Sequence, residues 1–181
     1  MARVRRHVQP KTAPGFTLIE AAVAVAVIAV GSMAVMQLSY ACTKQNAYSG
    51  QITTASMLAT HIREMLQPLS FNDPSTGTAT FGAESGETLS GYDDVDDFNG
   101  QTFSPPIDVN RQTISGMPGY SQRVTVRPVS TAKLSGNLTG TEISNSTYTG
   151  AVRITVDILY TEPGSNRTGT AYTMSWIKVA E

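Results

Sequence analysis

The chain has a single cysteine, Cys42, so an intrachain disulfide framework is excluded. It has two histidines, His7 and His61, and no His/Cys set at metal-ligand spacing. Charge is scarce: 15% of residues are Asp, Glu, Lys or Arg, against about 25% in an ordinary soluble domain. The 13 basic and 14 acidic residues nearly cancel to a net charge of -1. Whole-chain charge therefore gives no reason to bind nucleic acid, and a strongly charged disordered chain is excluded as well. No Walker loop, dinucleotide fingerprint or nucleophile elbow is found, so catalysis has no support in the sequence. At 181 residues the chain can form one modest domain, or a smaller one with an appendage.

What is present is unevenly laid out. Residues 1–15 hold Arg3, Arg5, Arg6 and Lys11 and no acid, so the rest of the chain is acidic. From Phe16 to Leu38 the only ionisable group is Glu20. As a helix rising about 1.5 Å per residue, this run spans roughly 34 Å, enough for the hydrocarbon core of a bilayer. The basic flank comes first, so that end stays cytoplasmic and the rest is translocated. A secretory signal peptide is the competing reading. The length of the run and the helix-compatible sequence after it argue against that, as they do against a buried helix of a soluble protein. A carboxylate in such a run is expensive in lipid and marks a partner or a function. Glu20 lies four positions after Phe16. A cut between Gly15 and Phe16 would create a terminal amine within reach of it, either as a local ion pair or between subunits. The alternative is a bystander that reaches the headgroups from the end of the run.

The segment Gly15-Phe16-Thr17-Leu18-Ile19-Glu20, with Lys11 before it and the apolar run after it, resembles the class III signal of type IV prepilins and type II secretion pseudopilins. The resemblance implies that a membrane peptidase cuts after Gly15 and N-methylates the new terminal Phe16. It makes Glu20 the acid that neutralises a neighbouring subunit's terminus during assembly. Its implied partners are the prepilin peptidase/N-methyltransferase, other pilins or pseudopilins through the N-terminal helix, and an inner-membrane assembly platform. No cofactor is implied. The function that follows is structural and non-enzymatic: a minor pilin-like subunit of a type IV pilus. The alternatives are a type II secretion pseudopilin and a pilus-tip adhesin or DNA-uptake component. The location that follows is the bacterial inner membrane by a single helix, with the head in the periplasm, and then a filament. One departure from the pattern is the Ala/Val richness of residues 21–30.

The expected organisation is a cleavable basic leader (1–15), a transmembrane or filament-core helix (16–38), its amphipathic continuation (39–67), an irregular insert (68–119) and an antiparallel β-sheet region (120–181). Leu58, Ile62, Met65 and Leu69 follow helical spacing and should lay one face on the sheet. Pro68 should end the helix, and Gly31 and Gly50 are its weak points. Cys42 is expected as a small buried residue and His61 as a helix-surface one. Strands are expected at 121–129, 151–160 and 170–179. The turn-rich stretch Glu162-Pro163-Gly164-Ser165-Asn166 joins the last two as a hairpin. The Asn137, Asn145 and Asn166 sequons read as ordinary loop composition, and residues 130–150 as a loop or ragged hairpin. The fold class is α+β and type IV pilin-like: a long N-terminal helix packed on a C-terminal antiparallel sheet.

The insert is rich in Gly, Ser, Thr, Asp and Pro and should hold folded loops with a short strand or helical turn. Its sharpest feature is Tyr92-Asp93-Asp94-Val95-Asp96-Asp97-Phe98-Asn99-Gly100. Asp93, Asp94, Asp96, Asp97 and Asn99 offer oxygen ligands suited to Ca²⁺, although the spacing departs from the EF-hand loop. The competing reading is a capped turn whose Asp side chains accept backbone N–H groups and whose Asn99-Gly100 closes it. The same run resembles a segment of minor pilins of mannose-sensitive haemagglutinin-type pili, which implies a structural signature of the head.

Overall fold

No proline stands between Phe16 and Gln67, and one uninterrupted helix, α1, runs over Leu18–Leu66. The computed structural model describes residues 15–77, 80–130, 148–165 and 167–180. The basic leader through Pro14, most of the Ser/Thr-rich segment 130–150 and the three sequon asparagines lie outside the described residues. Gly31 and Gly50 sit inside α1, where an isolated glycine costs about 1 kcal/mol relative to alanine. The helix stops two residues before Pro68, whose ring disfavours helical backbone at the residue ahead of it.

The chain divides into two units, with the boundary between Ala47 and Tyr48. In the first, every described residue is exposed in the single chain. This includes Cys42, which corrects the expectation of a buried residue. Cys42 follows the apolar part of α1 and lies beside Ser39, Thr43 and Lys44.

In the second unit, α1 buries Ala55, Leu58, Ala59, Ile62, Met65 and Leu66. Leu69, expected on the same stripe, is only partly buried because the helix has already ended. The sheet contains β1 (Thr102–Phe103), β2 (Tyr120–Pro128), β3 (Ala151–Thr161) and β4 (Thr168–Val179). Their order is β1-β2-β3-β4, antiparallel throughout. β1 lies inside the insert and is its short strand. Register places Val124 opposite Val156 and Val126 opposite Ile154, which in turn faces Trp176. Alternation therefore sends Val152, Ile154, Val156 and Ile158 inward, as a half-buried strand requires. The ladder slips between Ile158 and Leu159, leaving Ala171 without an opposite residue on β3. Gly119 must be glycine: its φ is +82°, and a Cβ there would stand 2.5 Å from Thr161 O. On the outer face Arg123 pairs with Asp157 at 2.8 Å, and Thr173 donates to the same carboxylate at 2.7 Å.

Gln122 occupies an inward position of β2 and is fully buried. Its Nε2 donates to Leu58 O of α1 and to Ile107 O, both at 3.0 Å, and its Oε1 accepts from Ile107 N–H at 2.7 Å. One side chain thus ties the sheet to the helix and to the insert. An apolar replacement would leave two buried Ile107 backbone groups unpaired, at about 1–3 kcal/mol each.

The insert is more than surface loops. Tyr92, Val95, Phe98 and Ile107 are buried in the same core as the helix and sheet. Lys178 of β4 reaches across to the end of α1 and donates to Leu66 O, Gln67 O and Leu69 O. A cation there answers the partial negative charge and the unpaired carbonyls of a helix C-terminus.

Candidate functional site

Two places in the molecule carry the residues singled out from the sequence. The first is the start of α1. Gly15, Phe16 and Thr17 precede the first helical residue, Leu18, so the Gly15–Phe16 peptide is non-helical and exposed. Phe16 is 83% exposed. Among the described residues nothing lies within 4 Å of a Cβ built on Gly15, so packing against them does not demand glycine there.

Thr17 caps the helix. Its Oγ1 accepts from Glu20 N–H at 3.3 Å, and Ala21 N–H donates to Thr17 O at 3.1 Å. The Thr17 hydroxyl and Glu20 Oε2 are 3.5 Å apart. Thr17-Leu-Ile-Glu20 has the spacing of a capping box, a role the sequence reading did not give Thr17. Glu20 also lies in the first turn, where the helix dipole favours an anion. Beyond it, the exposed apolar side chains of Val23, Val27, Ile28, Val30 and Val35 continue along the helix. Exposed apolar surface on this scale marks a membrane or protein contact.

The second place is the acidic run, where the structure separates its members. Asp93 is exposed, whereas Asp94, Asp96 and Asp97 are buried. Asp94 Oδ1 accepts from the N–H groups of Asp96 at 3.0 Å and Asp97 at 3.1 Å. Asp97 Oδ2 accepts in return from Asp93 N–H at 2.9 Å and Asp94 N–H at 3.2 Å. These reciprocal bonds cap a short 3₁₀ turn, Asp96–Phe98. Asp96 Oδ2 accepts from Gly82 N–H at 2.8 Å and lies 2.8 Å from the Tyr148 hydroxyl. Asn99 Oδ1 accepts from Val126 N–H, and Gly100, with φ +78°, turns the chain so that its N–H reaches Val124 O. The hydrogen bonds make the run a turn that seats the insert on β2, and no three of its carboxylates fall in a group close enough to share one ion among the described residues. Within this run, Asp97 Oδ1 is the one side-chain oxygen left buried without a hydrogen-bond partner among the described residues.

Burial and crowding push Asp94, Asp96 and Asp97 above the usual carboxylate range. Asp94 is pushed up to about 8, by burial first and then by the charge of Asp96. Asp97 is pushed up to about 6 by burial, with Glu87 and Glu84 adding to it. Asp96 is raised by burial, against the lowering effect of its bond from Gly82. The Tyr148 hydroxyl is also raised, by burial and by Asp96. The sign of the linkage follows: the folded state holds protons that an unfolded chain, at 3.8, releases. The contribution to stability is full below pH 4 and is lost as pH rises through the folded value near 8. In protein freed of divalent cations, the thermal midpoint should therefore fall between pH 5.5 and 8. A midpoint that is flat or rising over that range would show that these acids ionise without penalty.

Residues 11–36 match the family model of the prokaryotic N-terminal methylation motif. No curated protein and no solved structure shows a significant match to the chain. The match covers the charged leader end, the Gly15–Phe16 junction, Glu20 and the start of the apolar helix, and it supports a type IV prepilin- or pseudopilin-like protein. The fold agrees: one long apolar N-terminal helix and a four-stranded antiparallel sheet form a type IV pilin-like α+β arrangement. By length and composition α1 can cross a membrane, which fits an anchored pilin.

Proposed function

We propose that this chain is a structural, minor pilin-like subunit, cut after Gly15, methylated on Phe16 and assembled into a type IV pilus or its initiating complex. The observation that carries the reading is the methylation motif at 11–36, set where the scissile peptide is exposed just ahead of the helix. An unpacked Gly15 fits a glycine required by the peptidase and not by the fold. After cleavage, the apolar stretch of α1 waits in the inner membrane with the head on the periplasmic side. It then passes into a filament core built from the same segments of other subunits. The insert, with its own core residues, suits a low-copy subunit that initiates or decorates the filament. The same signal serves secretion pseudopilins, and recovery in sheared surface filaments, against envelope fractions alone, separates the two.

The direct test is mass analysis of the N-terminus of protein made in a cell with the processing enzyme. The expected species begins at methylated Phe16. A retained Met1, or a cut beyond residue 30, would sink the reading.

A further inference from the structure

The outer edge of β4 carries backbone groups without partners. Ala180 N–H donates to Gly150 O at 2.9 Å, which fixes these two residues as a hydrogen-bonded pair of the β3–β4 ladder. Such pairs alternate with non-bonded ones in an antiparallel sheet. Val152–Lys178 and Ile154–Trp176 are therefore bonded pairs too, and the backbone groups of Ile177 and Val179 turn away from β3. The bond from Val129 N–H to Ala151 O, at 2.9 Å, agrees, because it turns Ala151 toward β2 and away from Val179. β4 is the last strand of the sheet, and no described residue bonds to the outward groups of Ile177 and Val179. Edge strands are usually blunted by proline, by lysine or by a cover. Thr168–Val179 has no proline, and its one charged residue, Lys178, is committed to the end of α1.

This edge lines a cavity of about 890 Å³ between β4 and the chain that leaves α1. That volume lies within the range of roughly 300–1,000 Å³ seen for ligand sites. Leu69, Phe71 and Trp176 supply apolar wall. Asn72 Oδ1, on the same wall, is buried without a hydrogen-bond partner, and buried acceptors rarely stay unpaired. Two cations, Arg63 and Lys178, line the cavity, and no acid does so among the described residues. Arg63 is exposed in the last turn of α1, and its guanidinium has no partner among the described residues.

We infer that this edge and cavity take up an extended, acidic peptide segment of a partner protein, added to the sheet as a strand beside β4. Main-chain bonds to Ile177 and Val179 give such a strand its hold, and pockets for alternate side chains give it selectivity. Side chains turned toward α1 meet the apolar wall, and a carboxylate among them pairs with Arg63. A basic segment would face two like charges. A second copy pairing through its own β4 would bring no acid, because Thr168–Val179 contains none. The surface is separate from the N-terminal motif, so the inference stands apart from processing and filament assembly.

The test uses the full chain in detergent and reads the emission of Trp176, the chain's single tryptophan. The probe is the peptide acetyl-Val-Thr-Glu-Thr-Val-Thr-amide, which puts its acid and both valines on one face of a strand, titrated to about 1 mM. A saturable shift in emission is expected. The same peptide with lysine in place of glutamate should bind at least about fivefold more weakly. Arg63→Gln should abolish that preference, and Arg167→Gln, in the β3–β4 turn, should keep it. Ile177→Pro deletes an outward N–H without removing a bond to β3 and should weaken binding. If that variant does not fold, a peptide N-methylated at alternate residues makes the same cut from the partner's side and should give no shift. The inference is overturned if no saturable shift occurs, if the N-methylated peptide binds as well, or if Arg167→Gln loses the preference as Arg63→Gln does. It is overturned also if the emission follows protein concentration with no peptide present, which would assign the edge to a second copy.

Discussion

Phe98→Ala is expected to destabilise the second unit by about 3–5 kcal/mol, the range for removing a large buried aromatic. Phe98 is completely buried. Its ring meets Tyr92 edge-on at 5.0 Å and Phe103 at 6.3 Å, and the Arg111 guanidinium lies 5.7 Å from its centroid. None of these neighbours is free to collapse into the space. Arg111 donates to Leu89 O at 2.7 Å and Tyr92 O at 2.6 Å, Tyr92 is held by the turn, and Phe103 is held by β1. A cavity would therefore persist, and the full cost should appear. Ordinary domains have about 5–15 kcal/mol of net stability, so the loss consumes a large share. For a unit of this size the thermal midpoint should drop by roughly 10–20 °C. Phe98→Leu, which keeps most of the volume, should cost less than half as much. Equilibrium unfolding of the two variants checks the order. An alanine cost below about 1 kcal/mol would mean that the insert does not belong to the cooperative core.

Phe98 also shows where the sequence stopped being readable. The sheet was legible because alternation is a local signal, and Val152, Ile154, Val156 and Ile158 lie where a period of two puts them. The helix was legible because its only proline stop is Pro68. The methylation motif was legible because Gly15-Phe16-Thr17-Leu18-Ile19-Glu20 and the apolar run after it lie in one short stretch of sequence. The insert has no period: Tyr92, Val95, Phe98 and Ile107 enter the core from turns, where burial follows the chain path and not a repeat. Gln122 was hidden for the opposite reason. It obeys the alternation but is polar, and only its contacts with Leu58 and Ile107 explain it. In the acidic run, residue types allowed two outcomes, and hydrogen-bond geometry favours the capped turn.

Glu20→Ala should leave membrane insertion and the fold of the second unit unchanged while lowering recovery in assembled filaments at least about tenfold, a loss equivalent to 1.4 kcal/mol per subunit. One carboxylate can serve in two ways. In the single chain Glu20 is exposed and completes the cap with Thr17, which is worth about 1 kcal/mol of local helix stability. Such an effect at a frayed helix start would not stop assembly. In a packed bundle of apolar helices, however, the same carboxylate would lose its hydration, at an effective penalty of several kcal/mol unless a cation meets it. The free amine of a processed Phe16 on a neighbouring chain is a cation of the right kind, and pairing would fix the axial register between helices. Glu20→Gln separates the roles. Glutamine satisfies the capping-box pattern as glutamate does, but it cannot pair with an amine as a charge. If Glu20→Gln assembles normally, capping was the function and the register role falls. If Glu20→Gln fails as Glu20→Ala does while Thr17→Ala assembles, the charge is what the filament requires. The ratio of sheared-filament to membrane-bound protein, measured for all three variants, decides between these outcomes.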